Sequence, residues 1–188
     1  KERADFKAAL QDLKTKFQKT FVPVSIPIGA GPSYKGVINL IDGKAYLTPG
    51  QGKKEEPSPI PADMAATVAE YMGIMTEAAA EGDDSLTEKY LEKGTLSPDE
   101  IRTGLVEGLR DNKIVPVLCG SALHNSGITG LINFIESISP TPLGIKEKGK
   151  KQDGSDTEVQ IDPSAGTSVF VFKTSIDQFS GKLSYIKV

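Results

Sequence analysis

The chain has no tryptophan, one histidine and one cysteine in 188 residues. A single cysteine excludes an internal disulfide, and with a single histidine it excludes a zinc cluster of the usual Cys/His kind. No run of about 18 apolar residues exists, so no segment reads as a membrane-spanning helix. The opening Lys1-Glu2-Arg3 leads into an amphipathic stretch with no apolar core segment, unlike a secretory signal. A strong net charge is missing too. The 22 basic and 25 acidic side chains leave −3, and nothing global favours nucleic acid or an anionic membrane as partner. The first residue is not methionine, and the expectation is a piece excised from a longer polypeptide. What is present suffices for a packed core: Leu, Ile, Val and Phe make up about a quarter of the chain, above the roughly 20% below which disorder is the default.

Periodicity places the elements. Phe6, Leu10, Leu13 and Phe17 share one face of a 3.6-residue period and predict a helix over 2–17. Residues 21–28 alternate as a strand, and Pro23 and Pro27, which cannot donate to a ladder, make it an edge strand or one only partly paired. Asp42-Gly43 between the apolar runs 36–41 and 44–48 is a hairpin signal. The run 49–59 reads as a surface loop. Pro61 opens a long helix striped by Met64, Val68, Tyr71, Met75 and Ala79, with Gly82 at the position of a C-terminal cap. A short helix is expected around 84–92, and Ser97-Pro98-Asp99-Glu100 is a capping box that starts another, ending near Asn112. Ile114 to Leu118 suits a strand buried on both faces. Ile128, Leu131, Ile132, Ile135 and Ile138 stripe a final helix, which Pro140 and Pro142 end. The Lys-, Gly- and Asp-rich stretch 144–166 reads as a linker. Strands at 167–174 and 182–188 then form a hairpin that is marginal alone.

Three kinds of chemistry can be weighed from these residues. Gly31 and Gly36 have the spacing of a phosphate loop, but Val37 and Ile38 stand where its lysine and hydroxyl belong. Ser121 follows a glycine after a strand, yet the second glycine of a nucleophile elbow is missing. His124, three residues on, has no evident acidic orienter. Cys119 ends the buried strand and reads as a packing residue. Charge is uneven: residues 60–100 hold ten acidic side chains against Lys89 and Lys93, while residues 1–20 are net basic. The acidic segment is either a solvated helical face or a docking surface for a basic partner.

Lys113 to Leu123, KIVPVLCGSAL, followed by Gly127 and the Ile/Leu-striped helix, resembles the fifth guanine-nucleotide motif of the translational GTPases, most closely of the elongation factor G family. Five further segments resemble that family in the same order. Lys1 to Leu13 is similar to the helix after the Asn-Lys-x-Asp motif. Pro23 to Leu47 is similar to the start of the G′ insert. Ile60 to Met64 and Asp84 to Leu91 are similar to helices of that insert. Ser168 to Val188 is similar to the first strands of the β-barrel domain II. The resemblance implies an α/β fold: a partial P-loop GTPase sheet with an inserted α/β G′ subdomain, followed by the first hairpin of a β-barrel. The implied segments are a G-domain helix at 1–21, the G′ insert at 22–112, the last G-domain strand, fifth motif and helix at 113–139, a linker at 140–166 and the start of domain II at 167–188.

The same resemblance implies roles for particular residues. Ser121 and Ala122 would recognise the guanine base, with Leu123 packing beside it. Glu81, Asp83, Asp84 and Glu88 would form the acidic surface that meets the ribosomal stalk protein. The full-length parent would be a cytoplasmic GTPase, binding GTP or GDP with Mg, that moves tRNA and mRNA through the ribosome. The phosphate loop, both switch regions and Asn-Lys-x-Asp would all precede Lys1. The fragment alone is therefore expected to be inactive, to hold no nucleotide and no metal, to contain no catalytic residue, and to be open to self-association without membrane contact. His124-Asn125-Ser126 stands where family members often carry lysine, and the loop 49–59 is idiosyncratic. A ribosome-protection, recycling or release-factor relative therefore stays open, as does a free-standing α/β interaction module.

Overall fold

In the computed structural model, which describes residues 3–50, 53–151 and 153–188, the apolar run over 21–28 divides at Val24 into strands of two different sheets. In chain order the elements are α1 (Phe6–Lys16), β1 (Thr20–Pro23), β2 (Ser25–Ile28), β3 (Gly36–Asn39), β4 (Lys44–Leu47) and β5 (Pro57–Ser58). There follow α2 (Ala65–Ala80), α3 (Asp84–Lys93), α4 (Pro98–Arg110), β6 (Ile114–Val117) and α5 (Ile128–Ser137). Last come β7 (Lys146–Lys150), β8 (Asp156–Gln160), β9 (Phe170–Asp177) and β10 (Gly181–Lys187). The architecture is mixed α/β.

The chain forms two compact units, Lys1–Pro140 and Thr141–Val188. In the first, β1 lies parallel to β6, with Thr20 opposite Ile114 and Pro23 opposite Val117. The second sheet is antiparallel in the order β2-β3-β4-β5. Val24 serves both: its N–H donates to the Val117 carbonyl at 2.9 Å and its own carbonyl accepts from Leu40 N–H at 3.0 Å. Pro27 sits on the edge strand β2, where the missing N–H costs no ladder bond. β6 has one neighbour among the described strands, and only Ile114 of its four residues is fully buried. Burial of this strand on both faces is therefore not observed, because one neighbouring strand cannot cover it.

One apolar cluster ties the sheets to the helices, with Val22, Val24, Ile26, Ile38, Met75, Ala79, Leu105 and Ile138 at its centre. Local chemistry starts and stops the helices. Asp5 accepts from Ala8 N–H at 3.0 Å and starts α1 later than the periodicity suggests. The Ser97–Glu100 capping box forms as the sequence predicts, and Gly94 ends α3 in the left-handed region at φ 70°. Gly82 has a different reason from the capping role expected of it. A Cβ there would lie 2.2 Å from the Gly104 carbonyl oxygen, and a Cβ on Gly104 would lie 2.0 Å from the Ala79 carbonyl oxygen. These glycines let the backbones at the end of α2 and the middle of α4 touch.

The second unit holds two antiparallel hairpins. β9 and β10 pair over seven positions with a register irregularity at Tyr185/Ile186. Their apolar side chains, Phe170, Phe172, Ile176, Tyr185 and Ile186 among them, are exposed. The stretch expected as a linker carries the other hairpin, β7 with β8. Val159 is the one large apolar side chain in the two strands and is itself exposed, so no alternation marks them. The ladder, a Lys146–Glu158 ion pair at 3.6 Å and a turn at Asp153-Gly154, with Gly154 at φ 83°, hold it instead.

Gly104→Ala should destabilise the first unit by about 1–3 kcal/mol, because the added methyl forces two backbones apart. Gly73→Ala, on an open face of α2 with nothing within 4 Å, should stabilise by up to about 1 kcal/mol. Urea unfolding of both variants checks the pair, and equal effects would refute the close approach.

Candidate functional site

After β6 the backbone turns through Gly120 into a loop that closes on itself. Ser121 N–H donates to the Ser126 carbonyl at 2.8 Å, and Ser126 N–H returns the bond to the Ser121 carbonyl at 3.0 Å. Residues 122–125 bulge outward between them, with Asn125 in the left-handed region at φ 50°. Glycine is required on both flanks. A Cβ on Gly120 would stand 2.6 Å from the Ser126 carbonyl oxygen, and one on Gly127 2.6 Å from that of Cys119.

This closure sorts the three expected base-binding residues. Ser121 spends its N–H inside the turn, so that group is not free to meet a ligand. The N–H groups of Ala122 and Leu123 donate to nothing among the described residues. Both residues are exposed, Leu123 to 90%. The surface beside Ala122 is therefore apolar and open. The gap beneath the turn, bordered by Ser25, Asn39, Leu118 and Phe134, is about 10 Å³, room for one water at most. Any larger ligand must sit on the outer face.

The turn is held from below by the four-stranded sheet and its loops. The Ser126 side chain is completely buried. Its hydroxyl accepts from Thr48 Oγ1 at 3.3 Å and shares a 2.8 Å bond with the Tyr34 hydroxyl. Ser25 Oγ accepts Cys119 N–H at 2.9 Å. The Glu55 carboxylate accepts from Gly127 N–H at 2.6 Å and Thr129 N–H at 3.1 Å. Burial raises the Tyr34 hydroxyl above its ordinary value, partly offset by its bond to Ser126. Burial likewise pushes the Cys119 thiol up to about 11, which removes it as a nucleophile near neutrality. Sequence reading did not find Ser25, Tyr34, Thr48 or Glu55. Each lies between 72 and 94 residues from its partner, and no local pattern marks them.

Other candidates resolve simply. Gly36 opens β3 rather than a helix, so the Gly31–Gly36 spacing creates no helix-terminal phosphate cradle. His124 is exposed. No group of three or more His, Cys, Asp or Glu among the described residues could hold a metal, and no described helix is long and apolar enough to cross a membrane.

The four acidic candidates separate by role. Asp83 caps α3, accepting from Ser85 N–H at 2.9 Å and Leu86 N–H at 3.2 Å. The Ser85 hydroxyl and these amides hold its carboxyl below the usual carboxylate range. Its charge is already engaged with the chain. Glu81, Asp84 and Glu88 are exposed, and Asp84 and Glu88 share a face of α3 one turn apart. Nearby, Lys89 on α3 bonds Glu100 on α4. That bond and the Ser97 amide bring the Glu100 carboxyl down to about 2.

No family model matches the chain. A crystal structure of a protein from Thermus thermophilus is similar to it with a TM-score of 0.72 at 23% sequence identity, over 98% of this chain. The chain spans 25% of that protein's length. At this identity the likeness is one of fold.

Glu100 is depressed in the folded state, so its contribution to stability is complete above its ordinary value of 4.5 and is lost as pH falls toward about 2. Glu100→Gln should lower stability at neutral pH, and the gap to the unaltered chain should close as the medium is acidified through that window. Urea midpoints measured against pH check this, and a gap independent of pH would contradict it.

Proposed function

We propose that this chain is part of a ribosome-dependent translocation GTPase of the elongation factor G kind. It would contain the end of the G domain with its G′ insert and the start of domain II. The observation that carries the reading is the unspent Ala122 N–H on the outer face of a turn closed by Ser121 and Ser126. A fixed N–H donor suits the O6 acceptor of guanine and opposes the amino donor that adenine carries at the same place. Exposed Leu123 offers an apolar neighbour for a flat base. The order strand, glycine-flanked turn, helix adds support.

In this reading Ala122 contacts the base through its backbone, and Ser121 contributes by closing the turn. The phosphates of GTP or GDP and the Mg are held by residues outside this chain, and the chain supplies no catalytic residue. Glu81, Asp84 and Glu88 form the charged face toward a basic patch of the ribosomal stalk protein, and Asp83 fixes the helix that carries two of them. Work on tRNA and mRNA is done through the ribosome in the cytoplasm. The open apolar side of β9 and β10 favours self-association of the isolated chain. The exposed acidic face of α3 also suits a second reading, an α/β interaction module without nucleotide chemistry; a start codon near Lys1, with no phosphate loop upstream, would favour it. Release and ribosome-protection factors belong to the same class.

Titration with fluorescent methylanthraniloyl-GDP should show no micromolar binding to the isolated chain and micromolar or tighter binding to the full-length polypeptide. Binding by neither would overturn the nucleotide reading. In the full-length polypeptide, Asp84→Lys with Glu88→Lys should reduce ribosome-stimulated GTP hydrolysis several-fold and leave basal hydrolysis unchanged. Undiminished stimulation would return α3 to the role of a solvated face.

A further inference from the structure

The N-terminus of α5 has an unusual difficulty. Its N-cap is Gly127, at φ 79°, and glycine is needed there because a Cβ would meet the Cys119 carbonyl oxygen at 2.6 Å. A glycine brings no side-chain oxygen to the first amides of the helix, which would otherwise be left without acceptors. The chain meets that need from 72 residues upstream. Both Glu55 carboxylate oxygens are engaged, Oε1 with Gly127 N–H at 2.6 Å and Oε2 with Thr129 N–H at 3.1 Å. Charge-assisted bonds of this kind are about twice as strong as neutral ones, and the helix dipole reinforces them.

We propose that Glu55 is a positioning residue for the nucleotide-facing turn: by clamping Gly127 and Thr129 it sets the direction in which Ala122 presents its N–H. The mechanical path is short. Gly127 follows Ser126 directly, and Ser126 exchanges both backbone bonds with Ser121, the residue before Ala122. Ser126 is anchored separately through its side chain by Tyr34 and Thr48. Glu55 therefore constrains the exit of the loop while those two constrain its base. Glu55 belongs to the run before β5, so its carboxylate adds a charged link between the inserted layer and the nucleotide-facing turn to those made by Tyr34 and Thr48.

The inference rests on the nucleotide reading above, and the experiment separates the two. In the full-length polypeptide, dissociation of methylanthraniloyl-GDP is measured for the unaltered protein, Glu55→Ala and Glu55→Gln. Glu55→Ala should release the nucleotide about tenfold faster, the kinetic equivalent of losing part of two charged hydrogen bonds. Glu55→Gln, of similar volume with a single acceptor oxygen, should fall between. Added formate should slow release from Glu55→Ala toward the unaltered rate by re-supplying a carboxylate to the helix end, and chloride at equal ionic strength should not. General loosening of the fold would not respond to formate in this way. Release from both variants at the unaltered rate, or formate acting no better than chloride, would overturn the proposal. Failure of the unaltered protein to bind the nucleotide would overturn the nucleotide reading itself, and the proposal with it.

Discussion

Ser126 is where the two sheets of the first unit meet. Its side chain lies completely buried and shares hydrogen bonds with Tyr34 and Thr48 on the antiparallel layer. Its backbone closes the turn that follows the parallel pair β1–β6. A buried hydroxyl is tolerated only when it is satisfied, and satisfying this one requires both layers to be in place. The neighbouring glycines follow from the same closeness, since Gly120 and Gly127 each face a carbonyl oxygen that a Cβ would strike. The glycine at Gly127 in turn leaves α5 uncapped from its own sequence, and Glu55 fills that need. One steric constraint thus propagates into a hydrogen-bond network that spans the unit.

Where signals are local, the sequence was readable. The 3.6-residue stripes located α2 and α5, the Ser97–Glu100 box started α4 at the expected residues, and Asp42-Gly43 joined β3 to β4. Where the deciding partner is distant, it was not. Val24 changes sheets because of Val117 and Leu40, and nothing in the run 21–28 announces that. Gly82 looked like a cap, yet its role is set by Gly104 on another helix. The β7–β8 hairpin escaped because it buries neither face, so hydrophobic alternation had nothing to report; Asp153-Gly154 was its one visible signal.

The candidate site shows the same division. The strand, the glycine-rich turn and the striped helix were legible, whereas interest in Ser121, Ala122 and Leu123 came from the family resemblance alone. Which of these has a free donor was not legible, because that depends on how Ser121 and Ser126 pair. The acidic run was visible as charge, while its division into a capping residue, Asp83, an ion-paired residue, Glu100, and an exposed set depended on helix phase and on Lys89.

Everything proposed for this chain depends on a turn that is locked at its base and open at its tip. Amide hydrogen exchange read residue by residue by NMR tests that most directly. The account predicts that Ser121 and Ser126 are protected as strongly as the strand residues of β6, while Ala122 and Leu123 exchange near the rate of an unstructured peptide. Uniformly fast exchange from Gly120 to Gly127, or strong protection at Ala122, would contradict it.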